Sequence, residues 1–418
     1  MRGADALADQ VRQGGSRTAA LMFMMDDWHP DIEAFVKADR FKRANFSINI
    51  SDGFMSALRG QEDTWTLRFP DTSDPTYDLL WDGDIDKWER DGRLATHKEI
   101  DIRSIWSAIC ESALFCGSPG LVFIDTCNRM SMTRERLTCT NPCGEQPLPE
   151  YGSCNLGSIN LVSMCSKNGD INKGELATVI KSGVRFLDNV IDKSPPLYEQ
   201  IDSLQKLYRR IGLGTMGLAD VLILNKIRYG SQESLDFISE LYQFIQEEAF
   251  GASAKLAKER GQAPMFSARD FMSSPSGSKF GYLSLKLRNS SILTQAPTGT
   301  VSILAGVSSG IEPVFAAEYV RTDATGIHDI RHPLFQGSKQ AYLVTAYDIT
   351  PEEHIAVQSK LQEYIDSSIS KTVNLPPCAT LQDVDRIFRM AYEMGCKGIT
   401  VYKGGSLDDI LSCKTCNT

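Results

Sequence analysis

The stretch TNPCGEQPLPEYGSCNLGSINL, Thr140 to Leu161, restricts the fold of this chain more than any other. Proline has no backbone N–H and a fixed φ, so Pro142 and its neighbour Gly144 exclude a regular helix or a central strand around Cys143. The thiol must therefore stand on a tight loop. Asn141 and Glu145 flank it, and both require polar partners wherever they are buried. A cysteine that merely packs is one reading of this site, although polar flanks make poor packing chemistry. Metal binding is another, because Cys139, Cys143, Cys154 and Cys165 are close in sequence. Their spacing lacks the paired C-x2-C knuckles of zinc sites.

Around that loop the pattern is α/β, with short β-branched runs alternating with longer helical ones. In ITPEEHIAVQSKLQEYI, Thr350 is the N-cap, Pro351 takes the first helical position and Glu353 completes a capping box. Ile355, Val357, Leu361 and Ile365 supply the apolar face. A second helix runs from the cap Thr380 to a stop at Gly395 and feeds a buried strand, Gly398–Tyr402. Further helices are expected near Asp101–Phe115, Gly174–Ile191 and Gln232–Arg260. Met272–Lys279 reads as a flexible surface loop, and the final GGSLDDILSCKTCNT as a mobile tail. With no repeat and no linker, the expected organisation is one domain over residues 1–406 and a tail over 407–418.

The net charge of −9 gives no broad reason to hold a polyanion, so nucleic acid is not expected as a partner. A local phosphate pocket remains compatible with it. No run approaches the roughly 18 apolar residues of a membrane span, and MRGADALADQVRQGG lacks the apolar core of an export signal. Eleven cysteines then point to a reducing cytoplasm, where thiols pack, bind metal or catalyse.

Three more stretches carry chemistry. QAPTGTVSILAG, Gln295–Gly306, suggests a loop entering a helix, where N–H groups and the hydroxyls of Thr298, Thr300 and Ser302 would hold an anion. Alone, it reads better as an ordinary N-cap. RRIGLGTMGLAD places glycines at 212, 214 and 217 in a G-x-G-x-x-G pattern, but the charged residues Lys206, Arg209 and Arg210 precede it instead of a strand. A dinucleotide fold is rejected on that ground. Cys413 and Cys416 form C-x-x-C, which reads slightly better as a dithiol that exchanges electrons than as half a zinc site.

NPCGEQPLPEYGSCNLGSINL, RRIGLGTMGLAD, APTGTVSILAGVSSGIEPVF, SISKTVNLP and GCKGITVYKGGS, in this order, resemble the catalytic subunit of ribonucleotide reductases. The last two are characteristic of the adenosylcobalamin-dependent class II enzymes, and the chain has no adjacent tyrosine pair of the class I kind. The similarity runs from the first residues to about Ser406. It implies a ten-stranded α/β barrel with a central finger loop that carries Cys143. It further implies that Cys143 becomes a thiyl radical and takes the ribose 3′-hydrogen. Glu145 is then the base on the 3′-hydroxyl, Asn141 holds the sugar hydroxyls, and Cys154 is one of two thiols that reduce the 2′-carbon. By the same resemblance Thr298, Gly299, Thr300 and Ser302 hold substrate phosphates. Gln13 and Arg17 lie on a loop that senses base and effector, and Cys413 and Cys416 re-reduce the active-site disulfide. The implied ligands and partners are a ribonucleoside di- or triphosphate, deoxynucleotide or ATP effectors, adenosylcobalamin, a thioredoxin-like reductant and a second copy of the chain. No metal site built from side chains is implied.

Family members carry a substantial segment before the loop that matches Arg12–Arg17. It supplies the first barrel strands and the other reducing cysteine, whereas no cysteine here precedes Cys110. The expectation is therefore a barrel incomplete at its N-terminal strands, completed by an upstream polypeptide or by an unread part of the frame. Its open edges would expose unpaired backbone groups. Two alternatives stay open: a non-catalytic protein that binds nucleotide, and a thiol-redox or zinc protein.

Overall fold

β1 (Leu21–Asp26), β2 (Ala44–Ile50) and β3 (Gly120–Phe123) lie side by side and parallel in the computed structural model. The structure describes residues 1–13, 17–38, 44–60, 62–133, 135–268, 286–323, 326–335, 340–404 and 411–413. β3 is buried throughout and β2 nearly so, as parallel strands covered on both faces must be. β4 (Asn155–Asn160) and β5 (Ile211–Met216) form a second parallel pair. β6 (Thr372–Leu375) runs parallel to β7 (Gly398–Lys403), and β7 pairs antiparallel with β3. The result is a five-stranded sheet ordered β6-β7-β3-β2-β1.

Single bridges carry the pairing onward. Gln295 bridges to Ile369, just ahead of β6, and Leu293 bridges to Leu213 of β5. The strands thus follow one another from β1 round to β4 in an open series. Among the described residues neither the outer edge of β1 nor that of β4 has a strand beside it. The α/β class expected from the sequence is present, and the described strands do not close a ring.

The helices begin where their caps place them. Asp101 accepts from Ser104 N to start α1 (Ile102–Cys116), and Gly117 closes it at φ +63°. Asn172 caps α2 (Lys173–Lys193), and Ser231 caps α3 (Gln232–Arg260). After the short α4 (Gly299–Ala305), the expected capping box of Thr350 with Glu353 opens α5 (Pro351–Gln362), and the expected cap Thr380 opens α6 (Leu381–Glu393), where Asp383 completes a second box. α2 and α3 cover β4 and β5 through Ile180, Val184, Leu213 and Tyr242. α1 and α6 cover the larger sheet through Ile109, Phe123, Phe388 and Val401. Each such buried side chain contributes about 1.5–3 kcal/mol of transfer free energy.

The glycines of RRIGLGTMGLAD serve sheet packing. A Cβ added at Gly212 would lie 2.4 Å from the Leu156 side chain, and one at Gly214 would lie 2.4 Å from the carbonyl oxygen of Thr294. β5 therefore runs through a gap that only glycine fits, and the rejection of a dinucleotide turn has this physical reason behind it. Leu411–Cys413 pairs antiparallel with Glu318–Asp323 as the third strand of a small sheet, so this part of the expected mobile tail has a place on the fold. Cys416 and Met272–Lys279 lie outside the described residues. Among the described residues no helix is long and apolar enough to cross a membrane.

Candidate active site

Cys139–Thr140 pairs antiparallel with Pro147–Leu148 and closes a finger whose tip is the turn Asn141–Gly144. Gly144 N donates to Asn141 O at 3.0 Å, the i→i+3 bond of a β-turn. Pro142 then occupies the second position and Cys143 the third, and Gly144 takes φ +80°, which costs a glycine nothing. Asn141 locks the turn from both sides. Its N donates to Gln146 O at 3.2 Å, and its Oδ1 accepts from Gln146 N at 3.0 Å.

Three distant donors clamp the base of the finger. The carbonyl oxygen of Glu145 accepts from Thr294 Oγ1 at 2.8 Å, Ser367 Oγ at 3.1 Å and Ser368 N at 3.0 Å. From the opposite side Asn45 Nδ2, on β2, donates to Pro142 O at 2.6 Å, and Met24 Sδ, on β1, accepts from Thr140 N at 3.1 Å. The finger is thus fixed between β1 and β2 on one side and the segments that link β5 to β6 on the other.

Cys143 is exposed at the tip and opens into a cavity of about 300 Å³ walled by Asn45, Ser47, Gly120, Pro297 and Ser370. Burial in this concave setting, with the Glu145 carboxylate adding to it, pushes the thiol up to about 11. It therefore stays protonated at neutral pH. A protonated thiol is a poor nucleophile and a poor metal ligand, and among the described residues no His, Cys, Asp and Glu group could hold a metal ion. Glu145 is 2% exposed with Oε2 unpartnered among the described residues. Burial raises its pKa, and a hydrogen bond from the Asn141 side chain opposes that shift. Cys154 stands half-buried at the entrance to β4, where burial raises its thiol and the charge of Arg210 is the first influence opposing it.

At α4, Thr298 adopts φ +56° and its Oγ1 accepts from Gly310 N at 2.8 Å. Ser302 is fully buried with its hydroxyl 2.8 Å from Ser309 Oγ. Those two hydroxyls shape the turn, while Gly299 and Thr300 are exposed, just beyond Pro297 of the thiol-cavity wall in sequence. Gln13 and Arg17 stand in register in a two-stranded hairpin; their side chains, like that of Cys413, lie outside the described residues.

A second cavity, of about 410 Å³, shares Gly117, Thr372 and Thr400 with the first. Its walls include the apolar Ile303, Val307, Phe315 and Tyr402. Sequence reasoning missed the charged group between the two cavities. Lys371 Nζ, in the wall of the thiol cavity, donates to Glu312 Oε2 at 2.6 Å and to Thr372 O at 2.6 Å, and lies 2.8 Å from His354 Nδ1. Burial, then the lysine charge, drives the imidazole down to about 2, so it stays neutral and accepts. The one available signal was a lysine inside the otherwise uncharged SISKTVNLP.

The sequence model of the ribonucleotide reductase barrel domain matches residues 1–402. This chain belongs to the ribonucleotide reductase barrel family. It is 35% identical to the vitamin B12-dependent ribonucleoside-diphosphate reductase of Thermoplasma acidophilum, over 96% of this chain and 53% of that protein. Identity to the Mycobacterium tuberculosis protein of the same name is 34%, over 96% of this chain and 59% of that one. A ribonucleoside-diphosphate reductase subunit alpha from Chlamydia pneumoniae is more distant, 28% identical over 89% of this chain and 43% of its own length. The chain spans about half the length of the curated relatives it matches. In this member of the reductase family the finger carries Asn141, Cys143 and Glu145 within five residues, while Cys154 stands just ahead of β4, near enough for the Glu145 charge to act on it.

Proposed function

We propose that this chain is the catalytic barrel part of an adenosylcobalamin-dependent ribonucleotide reductase, making 2′-deoxyribonucleotides for DNA synthesis. One observation carries the reading: a protonated thiol at the tip of a clamped finger, opening into a cavity, with a buried carboxyl two residues away. As a thiyl radical, Cys143 takes the 3′-hydrogen of the ribose. Glu145 takes the 3′-hydroxyl proton; burial raises its pKa, which suits a carboxyl that accepts and returns a proton. Asn141 orients Glu145 and the sugar hydroxyls. Cys154 and a second thiol then give two electrons and two protons, the 2′-hydroxyl leaves as water, and the thiols end as a disulfide. The names of the relatives favour a diphosphate as substrate.

The residues fit the cofactor. The second cavity adjoins the thiol cavity across Thr372 and Thr400, and Ile303, Val307, Phe315 and Tyr402 would offer the face of a bulky ring system a wall next to the cavity of Cys143. When bound, adenosylcobalamin supplies the organic radical that oxidises a thiol by one electron. In the same reading the α4 entrance, at Thr298, Gly299 and Thr300, receives substrate phosphates, with Ser302 bracing it from inside. Gln13 and Arg17 respond to effectors, and Cys413 and Cys416 pass electrons from a thioredoxin-like protein in the cytoplasm. The free edges of β1 and β4 support a ten-stranded barrel completed by strands from an upstream polypeptide, which would bring the thiol that pairs with Cys154. Residues 1–406 are the catalytic domain and 407–418 the redox tail, in a homodimer.

The test is deoxynucleotide formation from a ribonucleoside diphosphate with adenosylcobalamin and excess dithiol, with and without the upstream polypeptide. Product that requires the upstream polypeptide and vanishes in Cys143→Ser supports the reading. Nucleotide binding with no product in either case would replace it with a non-catalytic role.

A further inference from the structure

Cys154 and Arg210 occupy matching places on neighbouring strands. Asn155 of β4 pairs with Ile211 of β5 in parallel register, and Cys154 and Arg210 each stand one residue earlier. They therefore meet at the mouth of the β4–β5 pair. Arg210 is 5% exposed, and a guanidinium buried without a carboxylate costs several kcal/mol. Its hydrogen bonding is sparse. One Nη2 donates to Thr133 Oγ1 at 3.3 Å, the guanidinium lies 5.6 Å from the centre of the Tyr208 ring, and Nε has no acceptor among the described residues.

The carboxylates nearby are committed elsewhere. Glu135 accepts from the Tyr208 hydroxyl, and the two oxygens of Asp366 each accept a backbone N–H, from Ile292 and Leu293, at 2.8 Å. Lys397 lines the same small void as Arg210, and its Nζ donates to the carbonyls of Asp366 and Ser367 at 2.6 and 2.8 Å. That void, about 10 Å³, has room for roughly one water molecule, and the hydroxyl of Ser290 in its wall is unpartnered among the described residues. Two cations thus face one carboxylate. Of the titratable groups that bear on Arg210, Cys154 comes first, ahead of Tyr208, Asp366 and Glu135. Asp366 and Glu145 act on Cys154 in the opposite sense.

We propose that Arg210 is a positioning residue for Cys154, holding its sulfur whenever that sulfur carries negative charge. The inference rests on Cys154 being a redox thiol. Ionisation breaks only the S–H bond, with the electron pair left on sulfur and the proton passed to water. In the reductive half-cycle an external dithiol attacks the disulfide that Cys154 has formed. One dithiol sulfur bonds to the partner cysteine, and Cys154 leaves as thiolate with the pair of the broken S–S bond. The second dithiol sulfur then attacks the first, expels the partner cysteine as thiolate with the pair of that S–S bond, and closes the dithiol's own disulfide, so that the dithiol has supplied the two electrons.

Alkylation of Cys154 by iodoacetamide, followed over pH and assigned by peptide mass mapping, reads its acidity without substrate or cofactor. Failure of deoxynucleotide synthesis therefore cannot be mistaken for failure here. Arg210→Gln should slow alkylation at least about tenfold at a given pH below the thiol pKa, the effect of one unit, and Arg210→Lys should recover most of it. A Gln profile that overlies the parent, or equal slowing by Gln and Lys, overturns the proposal. A charge introduced at the thiol provides a second reading with Arg210 intact. Cys154→Asp should unfold at higher temperature than Cys154→Asn at neutral pH, and the reverse order would also overturn the proposal.

Discussion

The same substitution, glycine to alanine, should have opposite effects at Gly214 and Gly251. At Gly214 an added Cβ falls 2.4 Å from the carbonyl oxygen of Thr294 and 3.3 Å from Gln295 Oε1. Ordinary contact begins near 3.4 Å, so the segment Leu293–Gln295 must retreat by about 1 Å. That segment bonds to β5 through Thr294 N to Leu213 O at 3.1 Å, and Thr294 Oγ1 holds the Glu145 carbonyl. Overpacking of this kind costs about 1–3 kcal/mol, and loss of the Thr294 hydroxyl bond adds about 1 kcal/mol. Gly214→Ala should therefore lose about 2–4 kcal/mol. At Gly251, inside α3, nothing lies within 4 Å of the added carbon. Alanine is there the better helix former by about 1 kcal/mol. Urea unfolding of both variants, read as midpoint shifts at unchanged slope, should separate them by about 3–5 kcal/mol. A separation under about 1 kcal/mol would refute the close approach of β5 to the segment that clamps the finger.

Glu145→Gln should lower kcat about 10²–10⁴-fold, the range of a lost general base, with nucleotide affinity little changed; competition binding alongside turnover would show whether binding was lost instead. Asp27 is 2% exposed, and burial pushes its carboxyl to about 7 from 3.8, while its Oδ2 accepts from Ser51 N. The folded state thus retains a proton that the unfolded chain releases. Its stabilisation is complete below about pH 4 and lost as pH rises through about 7, about 4 kcal/mol in all. Urea midpoints over that window should fall less steeply for Asp27→Asn, and parallel curves would count against the assignment. Asp188 is fully buried and accepts from Arg209 Nε at 2.8 Å, Arg260 Nη1 at 3.2 Å and Asn289 Nδ2 at 3.1 Å. Asp188→Asn removes that charge and leaves Arg209 paired with Asp192 and Arg260 with Asn189, so it should cost about 1.5–3 kcal/mol in the same assay; a loss below about 0.5 kcal/mol would mean that these remaining partners suffice.

What is written locally was legible. Caps at Asp101, Thr350 and Thr380 mark helix starts because a side-chain oxygen there satisfies an N–H that the helix itself cannot. Pro142 and Gly144 likewise announce the turn under Cys143. What depends on register was not. The donors on the Glu145 carbonyl come from Thr294, Ser367 and Ser368, far along the chain, and no local pattern couples them to the finger. Arg210 adjoins Cys154 only because Asn155 pairs with Ile211 and not with a neighbour. The glycines at 212 and 214 have the spacing of a phosphate turn and serve a narrow sheet, since a letter pattern cannot tell close approach by a ligand from close approach by a strand. Ser302 looked outward in the sequence, and the fold turns its hydroxyl in to Ser309.

The two cysteines of the opening motif end in opposite electrostatic settings, and this bears on what each can do. Cys143 has a carboxylate for its charged neighbour and no cation opposing the rise of its pKa. Both burial and charge therefore keep the proton on sulfur, where a hydrogen atom can be given up and regained with no net charge appearing. Cys154 sits eleven residues on, against a buried guanidinium with few other obligations. Opening a disulfide by thiolate exchange must put a full negative charge on a leaving sulfur, and a low-dielectric interior resists that unless a cation is already in place. An anion beside the first thiol and a cation beside the second favour homolytic chemistry at one and heterolytic chemistry at the other. Removing both charges, with glutamine at 145 and at 210, should drive the alkylation rates of the two thiols further apart, because Cys143 loses the anion that holds its proton and Cys154 loses the cation that favours its thiolate; rates that converge would refute the assignment.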